Sequence, residues 1–221
     1  MELICGIDEA GRGCIAGSLF VAGVVCVRAR SEELFALGVA DSKKLSRTKR
    51  FALESTLLAL ESTSGFLAES FKLDSRLVIA HHIARKSAAQ IDEQGLSAML
   101  AQALEEIMAH FAPICQHFVF DGNTTFGALP PKSISQSISL ETLIKGDSLL
   151  APIACASILA KCAKDRESAE LDTIHPHYGL AKHAGYGTKA HYEAIARHGL
   201  TPIHRKSFIK SSVKLGLLES I

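Results

Sequence analysis

Residues Ile4-Cys5-Gly6-Ile7-Asp8-Glu9-Ala10-Gly11-Arg12-Gly13 begin as a short apolar run, reach two adjacent acids, and end in an arginine bracketed by glycines. An apolar run of this length reads as a buried strand. A carboxylate set directly after buried residues is costly unless it is paired or binds a metal, so Asp8-Glu9 points to a hard cation, which prefers oxygen ligands. Glycines let a backbone come close to a ligand, and an arginine between them can reach phosphate or brace a turn. By itself Gly-Arg-Gly is nonspecific. The apolar run Leu19–Val27 follows the glycine-rich turn, and the two runs together predict a hairpin of buried strands.

Two further apolar runs stop at acids. Phe118-Val119-Phe120 leads into Asp121-Gly122-Asn123, and Leu143-Ile144-Lys145-Gly146 leads into Asp147. Strand ends of an α/β sheet are where ligand sites gather. Each acid also has a plainer reading: Asp121-Gly122 is a common turn, and Asp147 could cap the helix that follows. If acids from separate strands converge, they can hold two Mg²⁺ or Mn²⁺ ions about 4 Å apart. Such a pair activates water and stabilises the leaving oxygen of a phosphodiester.

The segments between these acids alternate in type. A helix is predicted from Arg47 to about Glu61 with Ser46 as N-cap, a strand over 65–73, and helical structure within the polar stretch 74–94. The clearest helix is Leu96–Phe111, where Leu96, Met99, Leu100, Ala103, Leu104, Ile107, Met108 and Phe111 recur at three- and four-residue spacing. Strands are predicted over 117–121 and 138–144. A buried helix is predicted over 149–164, with small Ala151, Ala154, Ala156 and Ala160 for close packing and Pro152 in its first turn. The mixed order fits an α/β core with a basic, helical C-terminal segment packed against it.

Composition narrows the function classes. At 221 residues, with 48% hydrophobic and 21% charged residues, the chain suits one well-filled domain. Leu19–Val27, the longest apolar run, is too short to span a bilayer, and the N-terminus has Glu2 and no basic flank of a secretory signal. The six cysteines form no C-x-x-C pair, which predicts small core residues in a reducing, cytoplasmic compartment. The net charge of +1 conceals an uneven distribution. Lys43, Lys44, Arg47, Lys49 and Arg50 cluster, and residues 175–215 hold seven Lys and Arg against Glu193 alone, so a basic face beside an acidic centre is expected. Ten histidines, among them His175, His177, His183 and His191, raise a zinc site as a rival. Their Pro, Gly and Lys surroundings favour exposed or phosphate-contacting roles instead.

Taken together, GIDEAGRG at 6–13, DSKKLS at 41–46, FDGN at 120–123, KGD at 145–147, IACASILAK at 153–161, HYGLAKHAGYGTKAH at 177–191 and TPIHRKSF at 201–208 resemble the ribonuclease HII family along nearly the whole chain. The resemblance implies an α/β RNase H-like fold, with a mixed five-stranded sheet flanked by helices and a helical C-terminal extension. It implies one domain, with a catalytic core over about 1–174 and a substrate-binding segment over 175–221. It implies an endoribonuclease that cuts the RNA strand of RNA–DNA hybrids, or 5′ of ribonucleotides embedded in duplex DNA, using two Mg²⁺ or Mn²⁺ ions. The metal-binding and catalytic carboxylates map onto Asp8, Glu9, Asp121 and Asp147. Gly11, Arg12, Gly13 and Tyr186 fall where the family reads the ribose–deoxyribose junction, and Lys43, Lys44 and Lys189 are phosphate contacts. Asp165 reads as a helix-surface or second-layer acid. The expected state is a monomer with no obligate protein partner. Met1 directly before the first strand is read as leaving no room for the N-terminal domain of the type III relatives. Cys14, Ser18, Lys164, the segment around His81–Gln90 and the loop after Asn123 depart from the usual pattern. A noncatalytic duplex binder on the same fold is the other alternative, disfavoured because all four acids are present.

Overall fold

The computed structural model describes residues 2–39, 42, 45–60, 77–131 and 137–209. The first two apolar runs are strands β1 (Leu3–Ala10) and β2 (Leu19–Val27), paired antiparallel from Leu3↔Val27 to Ala10↔Phe20. All of β2 is buried, because both faces of the sheet are covered, and so it reads as an unbroken apolar run. A short helix α1 (Glu33–Ala36) precedes α2 (Arg47–Leu60). Ser46 caps α2 as expected, its Oγ accepting the Lys49 N–H at 3.3 Å.

The helix predicted within 74–94 is corrected over its first half. Val78–Lys86 is strand β3, and only Ala88–Gln94 is helix, α3, opened by a Ser87–Gln90 capping box. Val-Ile-Ala-His-His-Ile-Ala-Arg-Lys pairs antiparallel with β2 from Leu19↔Lys86 to Cys26↔Val78, and that distant partner supplies its ladder hydrogen bonds. The strand predicted over 65–73 lies outside the described residues.

Helix α4 (Leu96–Phe111) buries Met99, Leu100, Ala103, Leu104, Ile107, Met108 and Phe111, the stripe its periodicity predicts. Strands β4 (His117–Asp121) and β5 (Ser139–Leu143), the short helix α5 (Gly146–Leu149) and the long helix α6 (Ala151–Ile174) follow. Pro152 does lie in the first turn of α6. The helix extends ten residues past Lys164, from 164 to 174, because ion pairs hold its polar half. Arg166 forks onto Glu54 of α2 at 2.6 and 2.8 Å, and Lys164 reaches Glu167 at 3.0 Å. Helices α7 (Leu180–His183) and α8 (Lys189–His198) follow, and the segment between them bridges the loop after β1 at Cys14 and Tyr186.

The sheet order is β3-β2-β1-β4-β5, antiparallel across β3-β2-β1 and parallel across β1-β4-β5, so the expected mixed five-stranded sheet is present. Helices α6 and α2 cover the face bearing Ile4, Ala22 and Val24; α4 covers the face bearing Cys5, Ile7 and Val21. Gly6 decides how closely α6 approaches, because a Cβ there would stand 2.2 Å from the Ile153 nitrogen. All six cysteines are buried and unpaired. No described helix is long and apolar enough to cross a membrane. A third apolar cluster, including Ile15, Ala16, Tyr178, Leu180 and Ile195, fastens the C-terminal helices onto the loop after β1.

Candidate active site

The acids picked out in the sequence meet at one end of the sheet. Strand β1 runs parallel to β4 and their ladder stops with Ile7 opposite Phe120, so the next residues, Asp8 within β1 and Asp121 at the end of β4, stand side by side. Asp121 lies opposite Leu143 at the end of β5. Its Oδ1 accepts the Gly146 N–H at 2.8 Å, which sets α5, and Asp147 within it, against the end of β4. The reading of Asp147 as cap of the long helix fails: it is buried inside α5, and Leu150 occupies the cap position of α6. Ser148 Oγ donates to Asp147 Oδ1 at 3.4 Å.

Electrostatics mark the same spot. Burial pushes the Asp8 carboxyl well above the usual carboxylate range, and the charges of Glu9 and Asp121 push it further. A hydroxyl of Ser157 on α6 and the Glu9 N–H, the latter at 2.7 Å, oppose this. Burial likewise raises Glu9, against the pull of the Arg12 guanidinium 3.6 Å away and with the push of Asp121. Mutually repelling carboxylates in a poorly solvated place are what a hard divalent cation relieves, and oxygen is the donor such ions prefer. In donor chemistry these residues fit one. As the side chains stand, no group of three or more His, Cys, Asp or Glu among the described residues is gathered to hold a metal.

The Gly-Arg-Gly loop is shaped from behind. Gly11 has φ +85°, and a Cβ on it would meet the Ser18 carbonyl at 2.7 Å, so only glycine fits. Arg205, fully buried, donates from Nε to Gly17 O at 3.0 Å and from Nη1 to Arg12 O at 3.1 Å. Lys164, also buried, donates to Ala16 O at 3.3 Å and to Glu167, which in turn accepts the Ser18 N–H at 2.8 Å. Arg85 adds bonds to Ser18 Oγ and Glu167 at 2.9 Å each. The loop's carbonyls thus turn inward onto cations while Arg12 and Gly13 stay exposed. Three of the positions that depart from the family pattern, Cys14, Ser18 and Lys164, belong to this one cluster.

Tyr186 stands at its rim. Its backbone bridges Cys14, its ring lies 3.8 Å from where a Gly13 Cβ would be, and it is 45% exposed. Three residues expected at the surface are not there. His191 and His204 are buried, as is Arg205 of the basic segment. The His191 ring bonds the Tyr186 carbonyl through Nδ1 at 2.9 Å, which makes Nδ1 the donor and leaves Nε2 to accept from His204 Nε2, 3.3 Å away. His204 Nδ1 then accepts the Thr201 N–H at 3.1 Å. This chain of neutral imidazoles replaces the exposed or phosphate-contacting role expected for His191. Of the two readings of Asp165, the helix-surface one fails, because it is buried and paired with Arg50 at 2.6 Å and Lys161 at 3.4 Å. Lys189 is solvent-exposed at the start of α8, with Glu193 at 3.9 Å. Lys43 and Lys44 lie outside the described residues. Spacing counted Arg205 only among the basic residues and passed over Ser157 and Glu167; the roles of all three depend on partners more than a hundred residues away.

Known proteins place this architecture. The family model described as Ribonuclease HII matches residues 5–211. The chain is 45% identical over 203 residues to the ribonuclease HII of Helicobacter acinonychis, covering 92% of this chain and 94% of that protein. It is 40% identical over 209 residues to that of Campylobacter concisus, covering 95% and 94%. Among solved structures, ribonuclease H2 from Pyrococcus horikoshii OT3 superposes with TM-score 0.71 at 21% identity, covering 98% of both chains. Bst-RNase HIII in complex with Mn²⁺ superposes with TM-score 0.70 at 20% identity, covering 99% of this chain and 70% of that one. With the family model spanning almost the whole length and close relatives matching end to end, the chain belongs to the ribonuclease HII family and is an endoribonuclease that acts on RNA–DNA hybrids.

Proposed function

We propose that this enzyme hydrolyses the phosphodiester 5′ of a ribonucleotide, in RNA–DNA hybrids and in DNA duplexes with embedded ribonucleotides, leaving 5′-phosphate and 3′-hydroxyl ends. The observation that carries the reading is the meeting of Asp8, Glu9, Asp121 and the Asp147 helix at one end of the sheet, with the pKa of Asp8 and Glu9 raised by burial and by neighbouring acids. These four carboxylates are the residues that would hold two divalent ions, Mg²⁺ or Mn²⁺, and a bound pair supplies an activated water and support for the 3′-oxygen leaving group. A solved relative described in complex with Mn²⁺ is consistent with that choice of metal.

The remaining residues orient the duplex. Main-chain groups of Gly11, Arg12 and Gly13 meet the 2′-hydroxyl that separates RNA from DNA. The Arg12 side chain reaches phosphate, and the exposed ring of Tyr186 stacks on the sugar of the following deoxynucleotide, where a 2′-hydroxyl would crowd it. Lys43, Lys44 and Lys189 contact phosphates and set position rather than sequence. Residues 1–174 act as the catalytic core and 175–221 as the substrate-binding segment of a monomer in the cytoplasm. One solved relative, from Archaeoglobus fulgidus, is described in complex with PCNA; the reading for this chain needs no obligate partner.

The test is cleavage of a labelled DNA duplex carrying one ribonucleotide, with Mg²⁺, with Mn²⁺ and with chelator, beside all-DNA and all-RNA duplexes. A metal-dependent cut 5′ of the ribonucleotide, absent from both controls, is the expected result. Binding without cleavage under every metal condition would favour a noncatalytic duplex binder.

A further inference from the structure

Residues Thr125–Ala128 form a tight turn in which Thr125 O accepts the Ala128 N–H at 3.0 Å. Both central residues have positive φ, +57° at Phe126 and +81° at Gly127. That is the sign pattern of a type I′ turn, whose central positions ordinarily hold Gly, Asn or Asp. A phenylalanine there is strained, because its Cβ crowds the backbone in the left-handed region. Glycine or asparagine would make the same turn freely, so what this chain gains by keeping Phe126 is the ring.

The ring has two neighbours that matter. It meets Phe120, the residue just before Asp121, edge to face at a centroid distance of 6.2 Å. The guanidinium carbon of Arg12 stands over it, 5.1 Å from the centroid. Arg12 is otherwise held by Glu9 at 3.6 Å. A cation at the carboxylates would compete with Arg12 for Glu9, whereas an aromatic face is neutral and keeps its hold on a guanidinium through that competition.

We propose that Phe126 is a positioning residue for Arg12, its ring presenting the guanidinium, already oriented, to a substrate phosphate beside the acidic strand ends. The inference rests on the reading of Arg12 as a phosphate contact. It also gives a role to the loop after Asn123, which departs from the family pattern.

The experiment is a double-mutant cycle on the full-length enzyme. Affinity for the single-ribonucleotide duplex is measured by fluorescence anisotropy in chelator at low salt, and single-turnover cleavage is measured with Mg²⁺. Phe126→Leu keeps the apolar packing and removes the aromatic face, so affinity falls about two- to fivefold, the range of an exposed cation–π contact. Phe126→Tyr retains a face and restores it. Arg12→Ala costs about tenfold or more, as for a lost charge-assisted hydrogen bond, and Phe126→Leu adds nothing in that background. A Phe126→Leu loss that persists in the Arg12→Ala enzyme, or no loss while Arg12→Ala is impaired, overturns the proposal. No effect of Arg12→Ala removes the underlying reading of Arg12 as well.

Discussion

Asp121 ties three elements together: it ends β4, stands beside Asp8, and receives the Gly146 N–H. Asp121→Asn keeps that hydrogen-bond acceptor and removes one charge. Groups that merely support metal ligands cost about 10- to 100-fold when altered, so removing a ligand's charge is expected to lower Mg²⁺-dependent cleavage by about a hundredfold or more. Unchanged cleavage in a single-turnover assay would break the ligand assignment. Arg205 acts at the same scale through two donors aimed at two carbonyls. A lysine ammonium is a single compact donor without the guanidinium's fixed two-pronged fork, so Arg205→Lys is expected to weaken the hold on one of the two carbonyls at a cost of about 1–3 kcal/mol. Urea denaturation should report that loss, and a stability equal to the parent's would show that the clamp is dispensable.

Among the elements, α8 and the turn before Arg205 are joined by the His191–His204 pair. Burial, and then the cost of placing a second proton beside the His191 imidazole, hold His204 down from 6.5 to about 4. The folded protein therefore refuses a proton that the unfolded chain accepts below 6.5. Stability contributed by neutral His204 is complete above that pH and is lost as pH falls toward about 4, at up to about 1.4 kcal/mol per unit. Buried Asp8 and Glu9 act in the opposite sense, so the informative quantity is the difference between parent and His204→Asn melting curves over that window. The variant should lose less stability than the parent as the solution is acidified. Parallel curves would mean that the imidazole chain is not neutral as its hydrogen bonds require.

For the whole molecule, crowded carboxylates at the open end of the sheet make the fold responsive to divalent ions. A ligand that binds only the folded state stabilises it by about 2.7 kcal/mol at a hundred times its dissociation constant. Saturating Mg²⁺ or Mn²⁺ is thus expected to raise the melting temperature, while K⁺ at equal ionic strength does not, and Asp121→Asn should blunt the rise. A melting temperature insensitive to both divalent ions would argue against metal binding by the four acids in the free enzyme.

Much of this was legible in the chain itself. Burial periodicity is a local property, so the β1–β2 hairpin, the α4 stripe and Asp121 at the end of its strand follow from spacing alone, whereas Asp8 and Glu9 lie inside β1 and Asp147 inside α5. The ordered motifs carried the family and the mixed sheet. Tertiary structure alone decided what depends on a distant partner. Val78–Lys86 is a strand because β2 offers it a ladder, although its composition suits a helix. Asp165 and Arg205 are tolerated inside because Arg50 and the loop carbonyls meet them there, and a charge becomes affordable to bury only where opposite groups are already placed. Sequence shows where a charge stands along the chain; whether it faces water or a partner is settled by the fold.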